Sequence, residues 1–120
     1  AETEGVIMPG YVSGELRHQL LSHAALFAMP SYHEGLPIAL LEALSYGLDV
    51  AVSDIPANVI APLDRKGDYF HTGDVESLAG LLTSKLQSAG VGHSMRRVYD
   101  LTPYDWDSIA AATVAVYESI

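Results

Sequence analysis

Short apolar runs alternate along the chain with longer stretches in which apolar residues recur at helical spacing, the pattern of a parallel sheet with crossover helices. Val6–Met8 reads as a first strand, and Ser13 as the N-cap of a helix carrying Leu16, Leu20 and Leu21 to about His23. Ala25–Met29 reads as a second strand, closed by Pro30. The stretch from Pro37 to Tyr46 reads as a helix, with Pro at its first position and Gly47 as its stop. Val50–Val52 fits a third, buried strand; after the turn-rich Asp54–Asn58, Tyr69–His71 fits a short fourth. Asp74 is placed to cap a helix carrying Leu78, Leu81, Leu82 and Leu86, with Glu76 against its positive end and Gly90–Gly92 breaking it. A last amphipathic helix begins near Asp105 and puts Trp106, Ile109, Thr113, Val116, Tyr117 and Ile120 on one stripe. The expected fold is α/β, a Rossmann-like parallel sheet flanked by helices.

Composition narrows the picture. At 120 residues and 49% hydrophobic, the chain is sized for one compact domain. Its 15 acidic against 6 basic residues leave a net charge of -9, which would repel nucleic acid and anionic lipid alike. No apolar run approaches the roughly 18 residues that span a bilayer, and Ala1–Glu4 is acidic where a signal peptide is basic. Cysteine is absent, so disulfides and thiolate metal sites are out, and a reducing, cytoplasmic compartment is compatible. The chain opens without Met, on an acidic tetrapeptide that runs into an apolar stretch, so residues 1–120 read as one domain truncated on its N-terminal side.

The informative stretch is Ser31–Leu44, which joins the carboxyl end of a strand to a helix, where open parallel sheets bind their ligands. Gly35 lets a ligand approach the backbone, and free amides at the helix start attract phosphate. Pro37 has no N–H, so such donors would come from Leu36, Ile38 and Ala39. Within an otherwise apolar and therefore buried helix, Glu42 is a costly carboxylate unless it has a partner. It shares a stripe with Ile38 and Ser45 that leans back toward the helix start, a place suited to accept hydrogen bonds from a ribose diol. Glu34, in the loop just before Gly35, is a second carboxylate able to face a ligand. His33 reads as a loop residue rather than a catalyst, and His18, His23, His71 and His93 lack ligand spacing, so no metal site is expected. Asp105-Trp106-Asp107 matches the D-x-D pattern of metal-holding transferases, but its position at a helix start explains both acids by capping and dipole. Asp54, at a strand end, is also an ordinary turn residue.

Glu34-Gly35-Leu36-Pro37-Ile38-Ala39-Leu40-Leu41-Glu42 resembles the E-x7-E motif of retaining GT-B glycosyltransferases, and Glu42–Gly47 resembles the EAMACG that follows it in family 4. Gly10–Ser13, His23–Ser31, Val52–Asn58, Gly67–Asp74 and Tyr104–Asp107 extend the likeness in the right order over nearly the whole chain. The resemblance implies most of a GT-B C-terminal, donor-binding domain. It implies that Glu42 binds the donor ribose, that the backbone of Gly35, Leu36 and Ile38 meets the diphosphate, and that Glu34 faces the transferred sugar at the reaction centre. It places the base near Tyr11 and Val12. The ligand would be a nucleotide-sugar, the acceptor a glycan or lipid-linked glycan, and no metal or other cofactor would be needed. The Arg and Lys that clamp the diphosphate in this family lie upstream of residue 1, as does the N-terminal acceptor domain, so the chain alone is expected to be inactive. Ile60 stands where relatives often carry Glu, and Asp49 where Pro is common, which would alter the sugar-side loop. The competing readings are a noncatalytic nucleotide-binding or interaction module of the same fold, and a two-carboxylate glycoside hydrolase, which a ribose-binding Glu42 would not satisfy.

Overall fold

A computed structural model describes residues 4–59, 62–89 and 96–119. Three strands form one parallel sheet: β1 (Leu26–Met29), β2 (Asp49–Ser53) and β3 (Tyr69–Phe70), in the order β1-β2-β3. Leu26 lies opposite Asp49 and Met29 opposite Val52, while Val52 and Ser53 lie opposite Tyr69 and Phe70. Helix α1 (Gly14–His23) precedes β1, α2 (Ile38–Ser45) crosses from β1 to β2, α3 (Val75–Ala89) follows β3, and α4 (Trp106–Glu118) closes the chain. This is the Rossmann-like α/β architecture that the hydrophobic pattern predicts.

The central strand β2 buries Val50, Ala51, Val52 and Ser53 completely, as a parallel strand covered on both faces must. Val50 and Val52 join Met29, Leu40, Leu44 and Leu63 in the core. Helix α2 enters through Pro37, which occupies the N-cap rather than the first helical position and carries φ -78 and ψ 73. It leaves through a Schellman turn: Leu48 N donates to Ala43 O at 3.2 Å and Gly47 N to Leu44 O at 2.9 Å, with Gly47 at φ +74. Asp74 caps α3 as expected, its Oδ1 accepting from Ser77 N at 3.0 Å. Ser13 sits at the N-cap of α1 but its side chain makes no capping bond.

Four expectations change. Val6–Met8 is not a strand: it lies outside the sheet with side chains 56–86% exposed, because an apolar run becomes a strand only against a neighbouring edge. The stripe of α4 is not a buried seam, since Val116 and Tyr117 are 61% and 73% exposed; the side chains of Trp106 and Ile109, and residue Ile120, lie outside the described residues. Asp49 belongs to the amino edge of the sheet, where Lys85 Nζ and Arg97 Nη1 both bond its Oδ1, at 2.6 and 2.8 Å. The same two cations bond Asp68, 2% exposed, and Arg97 stacks over the Tyr99 ring at 4.7 Å. Asp49 is therefore remote from any loop at the carboxyl edge. Finally, α2 is buried on one face only, through Leu40, Ala43 and Leu44. Ile60, Gly90–Gly92 and His93 also lie outside the described residues.

A strap formed by residues 96–101 runs across the amino edge. Arg97 N donates to Gly47 O at 2.8 Å, Tyr99 Oη to Leu48 O at 2.7 Å, and Tyr99 and Leu101 pack on the core.

Candidate functional site

The carboxyl edge of the sheet is a knot of short polar contacts. Ser53, at the end of β2, donates through Oγ to the Ser31 carbonyl at 2.6 Å, and Asn58, fully buried, donates through Nδ2 to the Ser53 carbonyl at 3.2 Å. Asp54 Oδ1 accepts from the Thr72 hydroxyl and, at 2.9 Å, from the Thr72 amide; His71 Nδ1 stands 3.4 Å from its other oxygen. The Thr72 hydroxyl, with the amide, holds the Asp54 carboxyl below its usual range. Asp54 thus ties the ends of β2 and β3 together. Of these contacts, the Ser53–Ser31 bond tethers the loop that leads from β1 into α2.

In that loop Glu34 is exposed, and its Oε1 accepts from Ser31 Oγ at 2.8 Å. A Cβ added at Gly35 would meet no atom within 4 Å, so the space above the backbone is open. Pro37 then makes an inverse γ-turn, in which Ile38 N donates to Leu36 O at 2.8 Å. This engages the Ile38 amide that sequence had offered as a phosphate donor. The first intrahelical bond runs from Leu41 N to Pro37 O at 3.0 Å; of the two amides before it in the first turn, that of Leu40 is closed off in the core and that of Ala39 belongs to an exposed residue.

The face of α2 turned from the core opens onto a groove of about 800 Å³ lined by Leu36, Ile38, Leu41, Glu42 and Ser45 on one side and by Leu101, Thr102, Tyr104 and Asp105 on the other. The spacing of Ile38, Glu42 and Ser45 does place them on one wall. Glu42 is not an isolated buried carboxylate, however: it is 28% exposed and forms an ion pair through Oε2 with Arg17 of α1. Beside that pair, His18 Nδ1 and Tyr46 Oη lie 2.6 Å apart. Tyr11, 94% exposed, and Val12 do not line the groove. Two parts of the site escaped sequence reasoning. A pairing between side chains 25 positions apart leaves no periodic trace, and Leu101–Asp105 reads simply as the approach to a helix.

Residues 1–88 match the model of the family described as glycosyl transferases group 1. An uncharacterised glycosyltransferase of Methanocaldococcus jannaschii is 29% identical over 119 residues, covering 94% of this chain and 30% of its own length. An MMP alpha-(1->4)-mannosyltransferase of Mycolicibacterium hassiacum is 30% identical over 115 residues, 89% of this chain and 27% of its own. An N,N'-diacetylbacillosaminyl-diphospho-undecaprenol alpha-1,3-N-acetylgalactosaminyltransferase of Campylobacter jejuni is 27% identical over 105 residues, 85% of this chain and 28% of its own. The chain therefore spans under a third of the length of these relatives. No solved structure matches it.

Proposed function

The chain belongs to the group 1 glycosyl transferases, and from that premise we propose that it forms the donor-binding part of a retaining GT-B enzyme that moves a sugar from a nucleoside diphosphate to a glycan or lipid-linked acceptor. The observation that carries this reading is the groove on α2. It brings a carboxylate side chain, Glu42, into line with Ile38 and Ser45, about one turn below the first-turn amide of the exposed Ala39. A carboxylate accepts from a ribose diol, and helix-start amides receive phosphate. Such amides also stabilise the charge that develops on the diphosphate as the bond to the sugar breaks. Glu34 and Gly35 lie on the loop that approaches that start, and Glu34 is given the place facing the transferred sugar. Leu36 and Ile38 supply apolar wall; Tyr11 and Val12, which do not line the groove, are given the base on the family resemblance alone. The names of the mannosyl- and N-acetylgalactosaminyltransferase relatives support a hexose-type donor.

The ribose role is isolated by discrimination rather than by raw affinity. UDP, GDP and ADP are titrated against their 2′,3′-dideoxy counterparts by NMR, on wild type and Glu42→Gln. Wild type should prefer the ribose form of its nucleotide by roughly tenfold or more, the value of one or two bonds to a charged acceptor. In Glu42→Gln, with its amide spectrum otherwise intact, the preference should fall to near one. A preference that survives the substitution would remove Glu42 from the ribose site.

A further inference from the structure

The chain has only six Lys and Arg residues with which to meet an anionic ligand, and all six are described. Lys85 and Arg97 are engaged with Asp49 and Asp68 at the amino edge of the sheet. Arg96 donates to the carbonyls of Ser22 and Tyr46. Arg65 and Lys66 lie in the turn before β3, where Lys66 N bonds Asp64 Oδ1 at 3.0 Å. Arg17 differs from all of these because its partner, Glu42, lines the groove.

We propose that Arg17 is a diphosphate-binding residue held in store by Glu42, and that donor binding makes the two side chains exchange partners. The ribose diol takes over Glu42 and the guanidinium turns to the diphosphate. The proposal rests on the reading of the groove as a donor site. Both members of the pair are partly solvated, at 48% and 28% side-chain exposure, and a pair of that kind is weakly held. A diphosphate offers more negative charge than one carboxylate and oxygens spaced for the two-pronged guanidinium. The distance is short as well. Glu42 lies four residues into α2 from Ile38, roughly 6 Å along the axis, and Glu42 leans toward the helix start, so the pair lies within about one turn of the exposed Ala39 amide. The guanidinium charge would meet the anion from the side while that amide meets it from the end. In the unliganded chain the same guanidinium keeps a half-buried carboxylate neutralised, so neither charge is left unpaired before the donor arrives.

The test separates diphosphate from ribose. Inorganic pyrophosphate is titrated by NMR into wild type, Arg17→Gln, Arg17→Lys and Glu42→Gln. Helix α1 has no buried residue, so the Arg17 substitutions leave the core untouched. Arg17→Gln should weaken pyrophosphate binding roughly tenfold or more, and Arg17→Lys should recover part of it. Glu42→Gln should tighten it severalfold, because the guanidinium has lost its resident partner. Equal binding by wild type and Arg17→Gln, or no pyrophosphate binding by wild type, overturns the proposal. So does an Arg17→Gln protein that keeps its pyrophosphate affinity while losing ribose discrimination, since Arg17 would then merely position Glu42. If wild type shows no ribose preference but its pyrophosphate affinity still depends on Arg17, the reading of Glu42 fails and the assignment of Arg17 stands.

Discussion

Gly47 and Gly80 are both glycines beside or within helices, and a methyl group added to each should have opposite consequences. Gly47 holds φ +74 in the Schellman turn, and a Cβ there would lie 2.7 Å from the Arg97 carbonyl oxygen, a backbone atom with no freedom to rotate away. The left-handed backbone alone costs about 1–2 kcal/mol for an L-residue. With the clash added, Gly47→Ala should lose about 3 kcal/mol in urea unfolding at neutral pH. Gly80, inside α3, would meet nothing within 4 Å, so Gly80→Ala should gain up to about 1 kcal/mol through helix propensity. Equal effects at the two positions would mean that backbone conformation and the Arg97 contact are not what select Gly47. At this scale the sequence was uneven to read. Gly47 announced itself as a helix stop because glycine after an apolar helical run has one common use. Arg17 announced nothing, since the residue that it meets lies 25 positions away and is brought near only by the fold.

At the scale of elements, what could be read from sequence was whatever has its own period or punctuation. Helix α2 is bounded by Pro37 and Gly47, β2 is an unbroken buried run, and α3 is opened by Asp74; all three stand where pattern put them. Val6–Met8 failed because a strand is a relation between two segments, and hydrophobicity reports only one of them. The same holds for the charge network that joins β2, β3, α3 and the strap. Burial of Asp68 by itself would raise its carboxyl's pKa, but the bonds from Arg97 and Lys85, aided by the Asp64 amide, outweigh it and leave the value below the ordinary 3.8. A depressed folded value means that the contribution is complete above about pH 4 and fades as pH falls through the folded pKa. Acid unfolding of wild type should therefore steepen below pH 4. Asp68→Asn should be destabilised by about 3–5 kcal/mol at pH 7, because two cations lose a buried partner, and its stability should fall less between pH 4 and pH 2. Parallel acid-unfolding curves for the two proteins would show that Asp68 is not the titrating group.

For the whole molecule, the strap has a property that neither of its ends has alone. Its anchors, Gly47, Leu48, Asp49 and Asp68, lie at the amino edge, while the chain just beyond it, Leu101–Asp105, is the far wall of the groove. Any ligand that bridges the two walls must favour the docked strap over the undocked one, and thermodynamic reciprocity requires the docked strap to favour the ligand by the same factor. Hydrogen exchange can read this exchange of influence from either side. The amide of Arg97, bonded to Gly47 at 2.8 Å, should be slowed by saturating the groove with whichever of UDP, GDP or ADP binds. Conversely, Arg97→Gln should weaken that nucleotide, although no part of Arg97 need touch it. Unchanged Arg97 exchange on saturation would mean that the ligand rests on α2 alone. A bound nucleotide would otherwise act as a clasp, registering at one edge of the sheet how firmly the other edge is fastened.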